Sequence, residues 1–195
     1  MKLCPLLCLL FFSVITESCK NKGEDKTNQE QGDSTTKNYY PVTSYINGQI
    51  MYLDSVPLAI IKYTISNNKI DTSITEKKDF AAIAAQFASP DISKAPLKDQ
   101  YEETSFMDAT LGTISLTYAA KNDTSSIRKI DVLLKQENTD VSTIYVEKKT
   151  NTADSAVTKK MLWTAGKNLL VTTLIQKKNE PEKVIQERYV WNDVN

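Results

Sequence analysis

Nucleophilic catalysis pairs a thiol or hydroxyl with a proton acceptor, and this sequence of 195 residues contains no histidine to act as that acceptor. The same absence removes the commonest zinc ligand. The three cysteines, Cys4, Cys8 and Cys19, all precede residue 20, so the chain beyond them has no thiol for a disulfide, a metal or a nucleophile. A serine–lysine pair needs no histidine, yet no Ser-x-x-Lys falls at a helix start. Ser125 with Arg128 only approximates one, where turn chemistry is the ordinary role of such a serine. The five glycines are scattered, which argues against a phosphate-binding loop. Glu102-Glu103 with Asp108 is the densest acidic group, but it lacks the alternating carboxylates and glycine of a calcium loop and reads as a solvated edge. A hydrolytic pair such as Glu147 with Glu187 would need both carboxyls in one cleft. Trp163, Tyr189 and Trp191 have two readings. Their rings could stack on a sugar or peptide as a ligand-binding platform, or fill the core under a helix, the commoner use of large aromatics. No catalytic residue, metal site or cofactor is expected.

Lys plus Arg and Asp plus Glu both number 24, so the formal net charge is zero. Removal of the first 18 residues would take away Lys2 and Glu17 and leave that balance intact. A neutral chain has no long-range field for nucleic acid, so no nucleic-acid partner is expected.

Lys2 and the apolar run Leu3 to Ile15 match a secretory signal and are too short for a membrane span of roughly twenty residues. Thr16-Glu17-Ser18 before Cys19 resembles a bacterial lipobox, in which small residues precede an acylated cysteine. It departs from the pattern in having Thr16 where an apolar residue is usual, and Glu17 beside it. Such looser boxes are typical of lipoproteins from Bacteroidetes. The alternative is ordinary cleavage after Ser18. Residues 20 to 38 are Lys, Asn, Gly, Glu, Asp, Thr, Gln and Ser only, a composition that cannot offset its own ordering entropy. The expected organisation is therefore a signal peptide at 1–18, a disordered tether at 19–38 lipidated at Cys19, and one α+β domain at 39–195. The expected location is the cell envelope, held to the outer membrane by the N-terminal lipid, with periplasmic and outward-facing orientations both open. Asp33-Ser34-Thr35, Asp54-Ser55-Val56 and Asp154-Ser155-Ala156 resemble the short O-glycosylation motif of periplasmic proteins in that phylum, which makes Ser34, Ser55 and Ser155 candidate acceptors.

In the domain, Val42, Tyr45, Ile46, Ile50 and Leu53 fall at helical spacing. Asn47-Gly48 offers a rival hairpin reading, and the helix is favoured. Leu58 to Ile65 reads as a strand turned by 66–69 into a partner at 70–74. Ser73-Ile74-Thr75-Glu76 has capping-box spacing ahead of a second helix that carries Phe80, Ile83, Ala84 and Phe87 on one face. From about Ser105 the period becomes two. Strands at the spacing of Ile114–Tyr118, Ile130–Leu134, Ile144–Val146, 157–165, 168–177 and 183–192 predict an antiparallel meander of about six, beside the N-terminal hairpin. The fold class is α+β, a curved antiparallel sheet covered on one face by two helices.

The stretch "PVTSYINGQIMYLDSVPLAIIKYT" and the closing "QERYVWND" resemble a family of small envelope lipoproteins of Bacteroidetes. The resemblance implies localisation and a shared fold and carries over no catalytic residue. Three functions are weighed. The first is a non-enzymatic binding or accessory module, in one version with an apolar ligand cavity between helices and sheet. The second is a structural subunit of an envelope complex, marked by an exposed apolar patch. The third is a carboxylate-based hydrolase.

Overall fold

The computed structural model describes residues 39–192 with the exception of Asn68. The signal peptide, Cys19, the tether at 19–38 and Ser34 lie outside the described residues.

Helix α1 spans Val42–Ser55. Val42, Ile46 and Leu53 are buried on one side of it, with Tyr45 and Ile50 packed beside them. That stripe decides against the hairpin. An amphipathic face that can reach a core outweighs the roughly 1 kcal/mol that Gly48 costs a helix. Strands β1 (Ile60–Ser66) and β2 (Lys69–Thr75) form the expected hairpin, and Asn67 takes a left-handed φ of 50° in its turn. Helix α2, Lys77–Ala88, presents Phe80, Ala84 and Phe87 to the interior. The capping box does not form. Ser73 belongs to β2, opposite Lys62, and the N-cap of α2 is Glu76.

After a single 3-10 turn at Leu97–Gln100 the chain enters seven consecutive antiparallel strands. These are β3 (Tyr101–Asp108), β4 (Thr113–Ala120), β5 (Ile127–Lys135), β6 (Val141–Asn151), β7 (Ser155–Thr164), β8 (Asn168–Lys177) and β9 (Lys183–Val190). The meander thus exceeds the expected six by one strand, β3. Its sequence, YEETSFMD, lacks alternation because it is an outer strand with little to bury. The last strand, β9, pairs with β1, which gives one nine-stranded curved sheet in the order β2-β1-β9-β8-β7-β6-β5-β4-β3.

The pleat sorts the side chains. Tyr118, Ile130, Val132, Ile144, Val146, Met161, Trp163, Leu169, Val171 and Tyr189 point to the face that the helices cover. On the open face Asp131 accepts from Thr117 Oγ1 (2.6 Å) and pairs with Lys129 (2.8 Å), while Tyr145 donates to Glu147 (2.8 Å). Tyr39 fixes the start of the domain. Its hydroxyl donates to the carbonyls of Lys98 (3.0 Å) and Tyr101 (2.9 Å), and its ring packs 4.6 Å from that of Tyr118.

Candidate functional site

The aromatic trio is brought together, and helix α2 closes over it. Trp163 on β7 and Trp191 just past β9 have ring centroids 5.0 Å apart. Phe80 of α2 lies 6.1 Å from Trp163, 5.9 Å from Tyr189 and 5.4 Å from Trp191, and Phe87 meets Trp163 edge-on at 6.0 Å. All five side chains are buried. The geometry corrects the platform reading of Trp163, Tyr189 and Trp191, because the faces that would receive a sugar or peptide are already packed against α2 and against each other. The physical cause is the register. Trp163 stands opposite Leu169 and Leu169 opposite Tyr189, so all three fall in one row beneath the helix. Burial raises the Tyr45 hydroxyl to about 12, with the neighbouring Trp163 indole acting the other way. The Trp163 Nε1 itself has no partner meeting hydrogen-bond geometry.

The space beneath α2 is therefore filled. A cleft of about 280 Å³ does lie between α1 and α2, lined by Ile50, Leu53, Ile60, Phe80 and Ala81 among others. It falls at or below the lower end of ligand pockets, and Lys77 reaches toward its α1 side to donate to the Asp54 carbonyl (2.9 Å).

The carboxylates do not converge. Glu147 is on the open face beside Tyr145. Glu187 is on the helix face, paired at 2.6 Å with Lys62, whose ammonium lies 5.6 Å from the Tyr189 ring centroid. Opposite faces of one sheet cannot share a cleft. Glu102 and Glu103 likewise alternate across β3, and Asp108 caps the turn at its far end. Among the described residues no group of three or more His, Cys, Asp or Glu side chains is placed to hold a metal ion. Ser125 donates to Asn122 Oδ1 (3.0 Å) and Arg128 pairs with Asp123, both within one turn. Of the glycosylation candidates, Ser55 ends α1 with its hydroxyl on the Tyr52 carbonyl (2.7 Å). Ser155 opens β7, half-buried, with its hydroxyl 2.9 Å from that of Thr152.

Two lysines make a local electrostatic feature that sequence pattern does not signal. Lys148 and Lys159 are directly opposite across β6 and β7 on the helix face. The Lys148 ammonium donates to the carbonyls of Gln86 and Ser89 at the end of α2, and Lys159 donates to Gln86 Oε1 at 2.9 Å. Burial, aided by the Lys159 charge, lowers Lys148 to about 8. Its ordinary value is 10.5, so between those two pH values the unfolded chain binds more protons than the folded one. Stability then rises with pH. From about pH 9 the tyrosines oppose it, because burial raises Tyr39, Tyr40, Tyr101 and Tyr189 above the ordinary 10.0 and Tyr118 and Tyr45 to about 12, so their protons are lost more easily on unfolding. Urea unfolding of the wild type between pH 8 and about pH 9 is expected to show a midpoint that climbs with pH, and Lys148→Met is expected to flatten the slope. An equal slope in the variant would refute the assignment.

The most prominent uncommitted surface is the open face of the β1–β2 edge. Ile61 stands opposite Ile74 and Ile65 opposite Ile70, so four isoleucines share one face of the hairpin. Ile70 and Ile74 are 70% and 79% exposed. Val184 on β9 extends the patch, and half-buried Leu133, Leu162 and Leu170 continue apolar surface along the open face. The opposite face of β2 carries Lys69, Asp71 and Ser73.

Compared with protein-family models, with curated proteins and with solved structures, the chain matches none.

Proposed function

We propose that this chain is a lipid-anchored envelope protein, held to the membrane through Cys19, whose domain works without catalysis as an accessory or assembly module and docks a partner protein through the open face of its β1–β2 edge. The one-faced isoleucine patch carries this reading. Soluble domains seldom leave an unpaired edge strand and its neighbour presenting four aligned β-branched apolar side chains to water, because such an edge recruits other chains. Here the charged residues of β2, Lys69 and Asp71, lie on the other face, and the open face carries only Thr72 and Tyr63 between the isoleucine pairs, which leaves it uncharged and open to a partner. The patch favours docking over the ligand-cavity version, since the interior beneath α2 is packed with aromatic rings. The hydrolase reading loses its candidate pair, Glu147 and Glu187, to opposite faces of the sheet. The lipobox-like segment and the polar composition of residues 20–38 support the anchor.

Two measurements test the reading. Mass spectrometry of detergent-extracted protein is expected to find a mature chain that begins at acylated Cys19. A photoreactive side chain placed at Ile74 is expected to give a discrete adduct with one envelope protein, and Ile70→Lys combined with Ile74→Lys is expected to remove co-purification of that protein without lowering the melting temperature. Unchanged co-purification in the double variant would defeat the docking surface.

A further inference from the structure

The opposite edge of the sheet ends in a differently built apolar feature. At the β3–β4 turn Phe106, Met107 and Leu111 are 66%, 57% and 73% exposed. Phe106 stands opposite Ser115 and points to the open face, whereas Met107 stands opposite Ile114 and points to the helix side. Leu111 sits in the turn between β3 and β4. This tip is apolar on both sides of the sheet, unlike the β1–β2 edge. A protein partner seated on one face would leave the other side in water. A lipid surface that takes the tip end-on covers both.

The turn holds these side chains outward. Asp108 Oδ1 accepts from the backbone N–H of Thr110 (2.9 Å) and Leu111 (3.0 Å). Gly112 takes a left-handed φ of 61°, and its carbonyl accepts the Gln136 backbone N–H from the adjacent β5–β6 turn at 2.8 Å. The Gln136 side-chain amide reaches Met107 Sδ at 3.6 Å.

The chain outside the structure ends in the right place. Tyr39, the first described residue, is pinned to the carbonyl of Tyr101 at the start of β3. From Tyr101 to Asp108 the strand advances about 24 Å. If residues 20–38 form the tether that their composition suggests, its root-mean-square span is about 25 Å. Effective concentration is highest when linker and span match in this way. The β2 edge is eight strand spacings farther across the sheet, about 38 Å.

We infer that the β3–β4 tip, through Phe106, Met107 and Leu111, inserts into the lipid surface to which Cys19 tethers the domain. The inference rests on the anchor proposed above. Contact is apolar rather than electrostatic. The charged neighbours at the tip are Asp108, Lys135 and Glu137, which make no cationic patch for anionic headgroups, so salt has little to screen.

The test uses the full chain, extracted from membranes and reconstituted into phosphatidylcholine vesicles with brominated acyl chains. Leu111→Trp is compared with Ile74→Trp. Both positions are exposed, and the buried Trp163 and Trp191 contribute equally to both variants. Both variants are expected to sediment with the vesicles. The indole introduced at position 111 is expected to be quenched severalfold more than the one at 74, at low and high salt alike, and Phe106→Ser with Met107→Ser is expected to reduce that quenching. Sedimentation with equal quenching at the two positions would overturn the inference and leave the anchor standing. Failure to sediment would overturn the anchor, and the inference with it.

Discussion

Phe80→Ala is expected to destabilise the domain by about 3–5 kcal/mol, the usual cost of removing a buried aromatic ring from a core that cannot collapse around the gap. The ring is placed for the upper part of that range. Its ring lies against those of Trp163, Tyr189 and Trp191 together, so it joins the helix to β7, to β9 and to the segment after β9. Whole domains are stable by about 5–15 kcal/mol, so the loss is a large fraction of the total. A fall in melting temperature on the order of 10 °C should follow for a domain of this size. Trp163→Phe supplies the comparison. It also removes buried volume, but it deletes an indole N–H that has no partner, and an unsatisfied buried donor is a cost that its removal relieves. Its effect is expected to be less than half that of Phe80→Ala by thermal or urea unfolding. If Trp163→Phe proves the more damaging, Tyr45 does satisfy that indole, and the aromatic cluster is held by a hydrogen bond as well as by packing.

The parts of this fold legible in the sequence are those where burial imposes a period. Val42, Ile46 and Leu53 announced α1 despite the Asn47-Gly48 turn signal, because the apolar stripe runs through the glycine without a break in phase. Phe80, Ala84 and Phe87 did the same for α2. Strands from β4 to β9 alternated because each packs one face on the helices. Where nothing is buried the period vanishes, and β3 passed unread. Ser73 to Glu76 misled because capping-box spacing also arises at the end of a strand that runs straight into a helix. The candidate site was hidden for another reason. Ile70 and Ile74 have the spacing of any strand with a dry face, and only the return of β9 to pair with β1 makes β2 an edge and leaves that face open. Glu147 and Glu187 fall on opposite sides through the register of β6 to β9, which sets Glu147 in one row with Lys160, Thr172 and Gln186. Alternation gives a side chain's parity within its own strand. It does not say which parity meets the helices until the sheet order is known.

Cys19→Ser is expected to move the mature protein from the membrane fraction into solution, with its partition into a detergent phase falling by about a hundredfold or more, because one acyl chain binds reversibly and several bind stably. The three apolar side chains of the β3–β4 tip do not replace such an anchor. On the inference above, contact of the tip with lipid would depend on a tether that keeps it within reach, and without one each encounter would be a free bimolecular one. The measurement must follow the mature-sized species by the mass of its N-terminal peptide, since an unprocessed precursor would keep the apolar run Leu3 to Ile15 and bind membranes through it. Wild-type protein should partition into detergent with a modified Cys19 at its terminus. In the variant any mature-sized chain should be unmodified and remain in the aqueous phase. A mature Cys19→Ser chain as firmly held as the wild type would show that the domain binds the membrane by its own surface. Combining the substitution with Phe106→Ser, Met107→Ser and Leu111→Ser would then tell whether the tip is that surface, because the exposure of these side chains lets them be changed without loss of the core.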